Sequence, residues 1–231
     1  MWTLALDTTT RHGSVALARD GHVVEESASD PEVSAAPRLP GELMALLRRH
    51  ALATGDLDVL AVAVGPGSFT GLRVGIATMQ GLAFATGRPL VGVSGLDALA
   101  AQRPRGARMV ATWVDAWRGE VFAASYADGV AVGEPTVDTP QGILAGLPES
   151  EEVWFLGDGA LAYREVIAAA RGGAARFPEE PAPLLAGAVA QLASAVVAGG
   201  ARPSPAAIVP LYVRRPDAEL ARSRDRGLGR R

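Results

Sequence analysis

The chain has no cysteine, no lysine and no asparagine. Without cysteine there is no disulfide, no thiolate zinc site and no thiol nucleophile. Without lysine there is no P-loop lysine, no Schiff-base amine and no lysine general base. All 22 cationic side chains are therefore arginine. Without asparagine there is no N-glycosylation acceptor. Histidine is scarce, and His12, His22 and His50 include no pair at helical metal-ligand spacing. No basic segment followed by an apolar run opens the chain, so no signal peptide is expected. The stretch 181–201 carries no charge, but it is rich in Ala, Gly and Pro and includes Gln191 and Ser194. Leu185, Val189, Leu192 and Val196 recur on one side of it, which predicts an amphipathic helix rather than a membrane span. The expected setting is cytoplasmic, with no membrane partner.

What is present is a globular composition. The chain has 231 residues, 48% of them apolar and 20% charged, which suits one large domain or two of about a hundred residues each. The formal net charge of −3 gives no general basic footprint for gripping nucleic acid alone. The charge is uneven, however: residues 214–231 hold seven arginines and three acids. Such a tail is either a solvated terminus or an electrostatic contact to RNA or an acidic partner.

The pattern along the chain repeats. Strands are expected at 2–7, 14–19 and 22–27, with Asp20-Gly21 as a tight turn. Residues 29–40 are broken by Pro31, Pro37 and Pro40 and read as loop. A helix at 42–53, a nearly all-apolar strand at 57–64, a helix at 72–85, a strand at 90–93 and a helix at 95–101 follow. After a polar joint at 102–106 the scheme restarts, with strands at 109–115, 120–126 and 130–137, a short helix at 140–145, a strand at 153–156 and a helix at 160–170. The helix at 183–198 and an extended 208–213 close it. Two successive units of meander, helix, strand and helix predict duplicated α/β lobes.

The most informative segment joins the buried strand to the helix at 72–85. It reads Gly65, Pro66, Gly67, Ser68, Phe69, Thr70, Gly71, Leu72, Arg73. Its glycines permit close backbone approach, and Ser68 or Thr70 can cap the helix. A strand-loop-helix junction also suits an anion. The residues alone leave both a capped turn and an anion site open, the capped turn being the commoner use of such a loop. They exclude a P-loop, which needs lysine, and a dinucleotide fingerprint, whose glycine spacing differs. In the helix itself Gly75, Ala77, Thr78, Gly81 and Ala85 are small. Glycine in a helix costs about 1 kcal/mol relative to alanine, so a second element is expected to approach closely, from the chain's own sheet or from another subunit.

These pieces resemble a known family. Ala5-Leu6-Asp7-Thr8-Thr9, Gly13-Ser14-Val15-Ala16-Leu17, the run Gly65–Gly75 and Gln80-Gly81-Leu82-Ala83 are similar to the bacterial TsaB family of tRNA threonylcarbamoyladenosine biosynthesis subunits. Val114-Asp115-Ala116, Arg118-Gly119-Glu120-Val121-Phe122 and Pro210-Leu211-Tyr212-Val213-Arg214 continue the likeness in order. Ser34 departs from it, standing where the family usually has histidine. The resemblance implies an α/β fold of two tandem RNase H-like lobes in the actin-like (ASKHA) superfamily, with mixed sheets flanked by helices. The lobes would span 1–103 and 104–213, the last segment packing back on the first lobe, with an Arg-rich tail at 214–231. It implies a non-catalytic scaffold or activator that dimerises with TsaD, the subunit that transfers threonylcarbamoyl to an adenosine beside the anticodon. It also implies help in recruiting the ATPase TsaE, a homodimer when TsaD is absent, and tRNA reached indirectly through the complex. ATP and a metal are expected in the partner subunits and no cofactor on this chain alone.

In working members of the superfamily an acid on each lobe's first strand faces Mg–ATP. Asp7 and Asp115 occupy those places as vestigial nucleotide-site acids. Asp7 is followed by Thr8, Thr9 and Thr10, and Asp115 by Ala116, Trp117 and Arg118, where a phosphate loop needs glycine. Gly157-Asp158-Gly159-Ala160 resembles the superfamily's adenosine turn but reads equally as an ordinary strand-to-helix turn. No catalytic or metal-ligating residue is expected. Leu43, Met44, Leu47, Gly75, Thr78, Met79 and Leu82 are expected at the partner interface. The alternative is an independent ATPase or kinase of the same superfamily. A peptidase has no metal pair, cysteine or recognisable triad to rest on.

Overall fold

The computed structural model describes residues 1–10, 13–30, 35–148, 151–179 and 183–214. Ser34, His12 and the tail beyond Arg214 lie outside the described residues. The first half builds an antiparallel meander of β1 (Trp2–Asp7), β2 (Ser14–Arg19) and β3 (His22–Ala28), to which β4 (Val59–Ala63) and β5 (Leu90–Val93) add in parallel. Helices α1 (Ala35–Arg49), α2 (Phe69–Thr86) and α3 (Gly95–Ala101) belong to this half. The second half repeats the plan with β6 (Met109–Asp115), β7 (Val121–Ala127), β8 (Val130–Asp138), β9 (Val153–Leu156) and the two-residue β10 (Ala175–Arg176). Its helices are α4 (Pro140–Ala145), α5 (Asp158–Ala162), α6 (Arg164–Arg171) and α7 (Ala186–Ala198). The strand orders, β3-β2-β1-β4-β5 and β8-β7-β6-β9-β10, are the same path drawn twice. The duplicated lobes read from the sequence are the fold.

Side-chain alternation decides what each face of the first sheet carries. One face presents Leu4, Leu6, Leu17, Leu60, Val62 and Leu90, and packs with leucines of α1 and Met79 and Ile76 of α2. The other presents Ala5, Ala16, Ala18, Ala61 and Ala63 with Val59, Val91 and Val93, and packs with α7. Alanine there lets a helix lined by Ala186, Ala190 and Ala193 come close to the strands. Two buried hydroxyls fix the contact: Ser194 Oγ donates to the Ala190 carbonyl at 2.7 Å and so receives the Thr3 hydroxyl at 2.8 Å. Residues of α7 thus come from the second half of the chain but cover the first sheet. Between the lobes lies α3. Leu96, Ala98 and Leu99 share a core with Val114 and Phe122 of the second sheet, and Tyr126 of β7 donates to Asp97 of α3 at 2.7 Å.

Three expectations need correction. The prolines of 29–40 do not keep that segment in a loop, because α1 starts at Ala35. Pro37 falls in the first turn, where no N–H is required, and only Pro40 forfeits a helix bond. Burial of Leu39, Leu43, Leu46 and Leu47 and an Arg38–Glu42 ion pair at 2.9 Å outweigh that loss. The same helix ends before 53, as Ala51 turns left-handed at φ 53°. The helix expected at 160–170 is two helices, broken at Tyr163, whose φ is −109°.

Candidate functional site

Asp7 ends β1, fully buried. Its Oδ1 accepts the Thr9 N–H at 2.8 Å and the Thr9 hydroxyl at 2.6 Å, and its Oδ2 accepts the Thr10 hydroxyl at 2.8 Å. The carboxylate therefore closes its own turn. Directly on that turn lies the glycine-rich loop. Thr8 Oγ1 donates to the Gly71 carbonyl at 2.8 Å, and the Ser68 N–H reaches the Thr9 carbonyl at 3.4 Å. A Cβ at Gly67 or Gly71 would run into the Thr8–Thr9 backbone, and one at Gly75 into the Thr8 side chain. Spaced four apart, these three glycines form one bare ridge on which the threonine turn sits. Ser68 Oγ accepts the Gly71 N–H at 3.3 Å and caps α2. Of the two readings left open by the sequence, the geometry is that of the capped, tightly packed turn.

Asp115 ends β6 in the matching place, with Oδ1 accepting the Trp117 N–H at 2.9 Å. Its own N–H goes to Asp158 Oδ1 at 3.1 Å, which also accepts the Gly159 N–H at 2.8 Å. Burial pushes the Asp158 carboxyl above the usual carboxylate range, against the pull of those N–H groups. The turn Gly157–Ala160 thus ties the start of α5 to β6, and a Cβ at Gly159 would come within 3.0 Å of the β6 backbone. Asp7 and Asp115 bond to their own turns and not to each other. Among the described residues no three His, Asp or Glu side chains converge as metal ligands.

The interface expected on α1 and α2 is only partly on the surface. Leu43, Leu47 and Met79 are buried in the first lobe's own core, and Gly75 is buried against Thr8. Helical periodicity turns them inward, a constraint that choosing residues by size overlooks. Met44, Thr78 and Leu82 are half-buried. The outward face of α2 is formed by Arg73, Ala77, Gly81, Phe84 and Ala85. A Cβ at Gly81 would meet open space, and Phe84 is 64% exposed. Phe84 was legible as the one large apolar residue at the 77, 81, 84 spacing.

Two further elements tie distant parts of the chain together. The first closes the N-terminus of α7: Glu26 Oε1 accepts the Gly187 N–H at 2.7 Å, and Ser14 Oγ accepts those of Leu185 and Ala186. The second is a strap, residues 205–214. Gln80 of α2 donates to the carbonyls of Pro205 and Ile208, and the Leu211 N–H reaches the Val64 carbonyl at 2.7 Å. Tyr212 stacks on Phe69 at 5.5 Å, while Arg73 lies 3.9 Å over Phe69 and donates to the Tyr212 hydroxyl at 3.1 Å. Arg214 then crosses to the second lobe, donating to the Ala116 carbonyl at 2.9 Å and to the Glu120 carboxylate. The strap brings three sequence motifs, 65–75, 114–122 and 210–214, into one continuous structure.

Two sheets of one RNase H-like topology, joined across a shared helix and carrying an acid at the end of each first strand, define an actin-like two-lobed protein. The activator of 2-hydroxyisocaproyl-CoA dehydratase from Clostridium difficile, solved with bound ADPNP, shares this fold with a TM-score of 0.51 at 11% identity over 87% of this chain and 97% of that one. A family model described as TsaD, tRNA N6-adenosine threonylcarbamoyltransferase, matches residues 21–221. An uncharacterized protein of Mycobacterium tuberculosis is 36% identical over 225 residues, 94% of this chain and 93% of its own. The tRNA threonylcarbamoyladenosine biosynthesis protein TsaB of Bacillus subtilis is 30% identical over 172 residues, 72% of this chain and 75% of its own. A Pseudomonas aeruginosa crystal structure, described as similar to peptidase YEAZ, superposes with a TM-score of 0.77 at 30% identity, covering 92% of this chain and 99% of that one. The chain belongs to the TsaB family, within the broader TsaD family whose model it matches.

Proposed function

We propose that this chain is a non-catalytic subunit of the assembly that forms threonylcarbamoyladenosine on tRNA. It pairs with TsaD through the outward face of α2 and helps to recruit TsaE, and the transfer chemistry, ATP and metal belong to those partners. The observation that carries this reading is the packing of the glycine ridge on the Asp7 turn. Among the described residues, the Thr9 N–H and the Thr9 and Thr10 hydroxyls are engaged by the Asp7 carboxylate, which supports a turn that serves packing rather than phosphate binding. What remains presented is a helix face of small residues around Phe84, suited to a second helix at close range. The same face would pair two copies of the chain when TsaD is absent.

Reconstitution tests this. Modified adenosine is assayed with the chain, TsaD, TsaE, threonylcarbamoyl-adenylate, ATP and unmodified tRNA, omitting each component in turn. The expected result is modification that requires the chain, with no ATP turnover by the chain alone. Robust hydrolysis by the chain alone would instead support an independent ATPase and make Asp7 and Asp115 the next residues to change. Gly81→Trp should abolish co-purification with TsaD while keeping the melting temperature, because its Cβ enters open space. A variant that still co-purifies would move the interface elsewhere.

A further inference from the structure

The strap at 205–214 is seated on the first lobe and gripped by the second. On the first lobe Gln80 of α2 holds the Pro205 and Ile208 carbonyls, the Leu211 N–H meets the Val64 carbonyl, and a Cβ at Gly65 would come within 2.9 Å of the Leu211 carbonyl. The last hold on this side is Tyr212, stacked on Phe69 and bonded to Arg73. Two residues later Arg214 is bonded to the Ala116 carbonyl and the Glu120 carboxylate of the second lobe, and lies 5.6 Å over the Phe122 ring. Two residues of fully extended chain reach about 7 Å. The lobes cannot part far at this edge unless one grip lets go.

A second tie between the lobes lies at α3, where the Tyr126 hydroxyl meets Asp97. Tyr126 is six positions beyond Glu120, nearly the full length of β7, which is about 20 Å at the rise of a strand. A single tie is a pivot, and another that far along the same strand stops the swing. The two ties differ in how deeply they are set. Leu96, Ala98 and Leu99 embed α3 in a core that both lobes share. Phe69 is 44% and Tyr212 38% exposed, and the Arg214 and Glu120 side chains are 25% and 37% exposed. Ion pairs open to water are individually weak, so the strap can release without unfolding either lobe, leaving α3 as the hinge.

The grip on the first lobe lies where a partner would land. Arg73 belongs to the outward face of α2, and the Phe69–Tyr212 stack continues that face at its N-terminal end. We propose that the strap is a latch that fixes the angle between the lobes, and that a partner docked on the outward face of α2 holds it shut by covering Arg73 and the aromatic stack that the closed latch completes. This rests on the reading of α2 as the TsaD-binding face and adds to it the regulation of that face by the second lobe.

The test is the distance between two nitroxide labels, measured on the full chain by double electron–electron resonance. Because the chain has no cysteine, Arg48→Cys on α1 and Ala168→Cys on α6, both exposed, place one label on each lobe. The parent should give a single narrow distance distribution. Arg214→Ala, which removes the second-lobe grip, and Tyr212→Ala, which removes the first, should each broaden it. Tyr212→Phe keeps the stack and should leave it narrow. An unchanged distribution in both alanine variants would overturn the latch. Adding TsaD should narrow the distribution of the Arg214→Ala chain again. By reciprocity that variant should bind TsaD about fivefold more weakly, although the contact it loses is with the other lobe. A broadened distribution with unchanged TsaD affinity would overturn the coupling and leave α2 as the docking face. TsaD binding that Gly81→Trp does not disturb would overturn the coupling together with that face.

Discussion

Two glycines on one helix have opposite surroundings. A Cβ at Gly75 would collide with Thr8, whereas one at Gly81 would touch nothing. Gly75→Ala should therefore destabilise by about 2 kcal/mol through overpacking, despite the better helix propensity of alanine. Gly81→Ala should stabilise by up to about 1 kcal/mol. Urea unfolding of the two variants side by side checks the pair, and equal effects would refute the ridge. The sequence shows both as helical glycines inside a run of small residues and cannot separate them, since what distinguishes them is a threonine sixty-odd positions earlier.

Elements show how far periodicity carries. The strands of both meanders were legible because alternation and the Asp-Gly turns are local signals. The start of α1 was not, because its prolines are local signals against a helix and the leucine stripe that overrides them gains only on burial. The two-residue β10 has no pattern of its own and exists because β9 offers it an edge. The cap on α7 was equally hidden, since Glu26 and Gly187 meet only in the folded chain. That cap has a measurable cost. Burial pushes the Glu26 carboxyl above its ordinary value of 4.5, against the Gly187 N–H, and nearby Asp7 adds to the rise. A carboxyl raised on folding favours the folded state while protonated, and that advantage is lost as pH climbs from below 4.5 through the raised value. Glu26→Gln keeps an acceptor for the Gly187 N–H and removes the titration. The stability of the variant relative to the parent should thus increase from acidic to neutral pH, read from urea midpoints at each pH. A constant difference would show that Glu26 does not titrate on folding.

At the scale of the molecule, the lobes are joined by α3, by the strap and by the Tyr126–Asp97 bond. The duplication was readable from the order of elements, but the joints were not, since each links residues far apart in the chain. The candidate site divides in the same way. The glycine-rich loop was legible as one unit, yet its meeting with Pro210–Arg214 appears only in the fold. Tyr126 reports on the joint. Burial and the neighbouring Asp97 push its phenol well above the ordinary value of 10. Of the chain's three tyrosines, one should fail to ionise in an alkaline absorbance titration until the lobes come apart. As for any group raised on folding, its stabilising contribution is complete below the ordinary value and is lost at higher pH. Tyr126→Phe should remove the silent phenol and cost about 1 kcal/mol.

The position of α7 also bears on how the protein is made. The first sheet is complete once β5 has been synthesised, but the helix that covers its alanine face lies at Ala186–Ala198. At about 5–20 residues per second on the ribosome, that face waits on the order of ten seconds for its cover. During that interval the nascent chain has a leucine face already dressed by α1 and α2 and an alanine face open to water. Building the open side from alanine and valine rather than leucine leaves the half-made protein with the less adhesive of its two surfaces exposed.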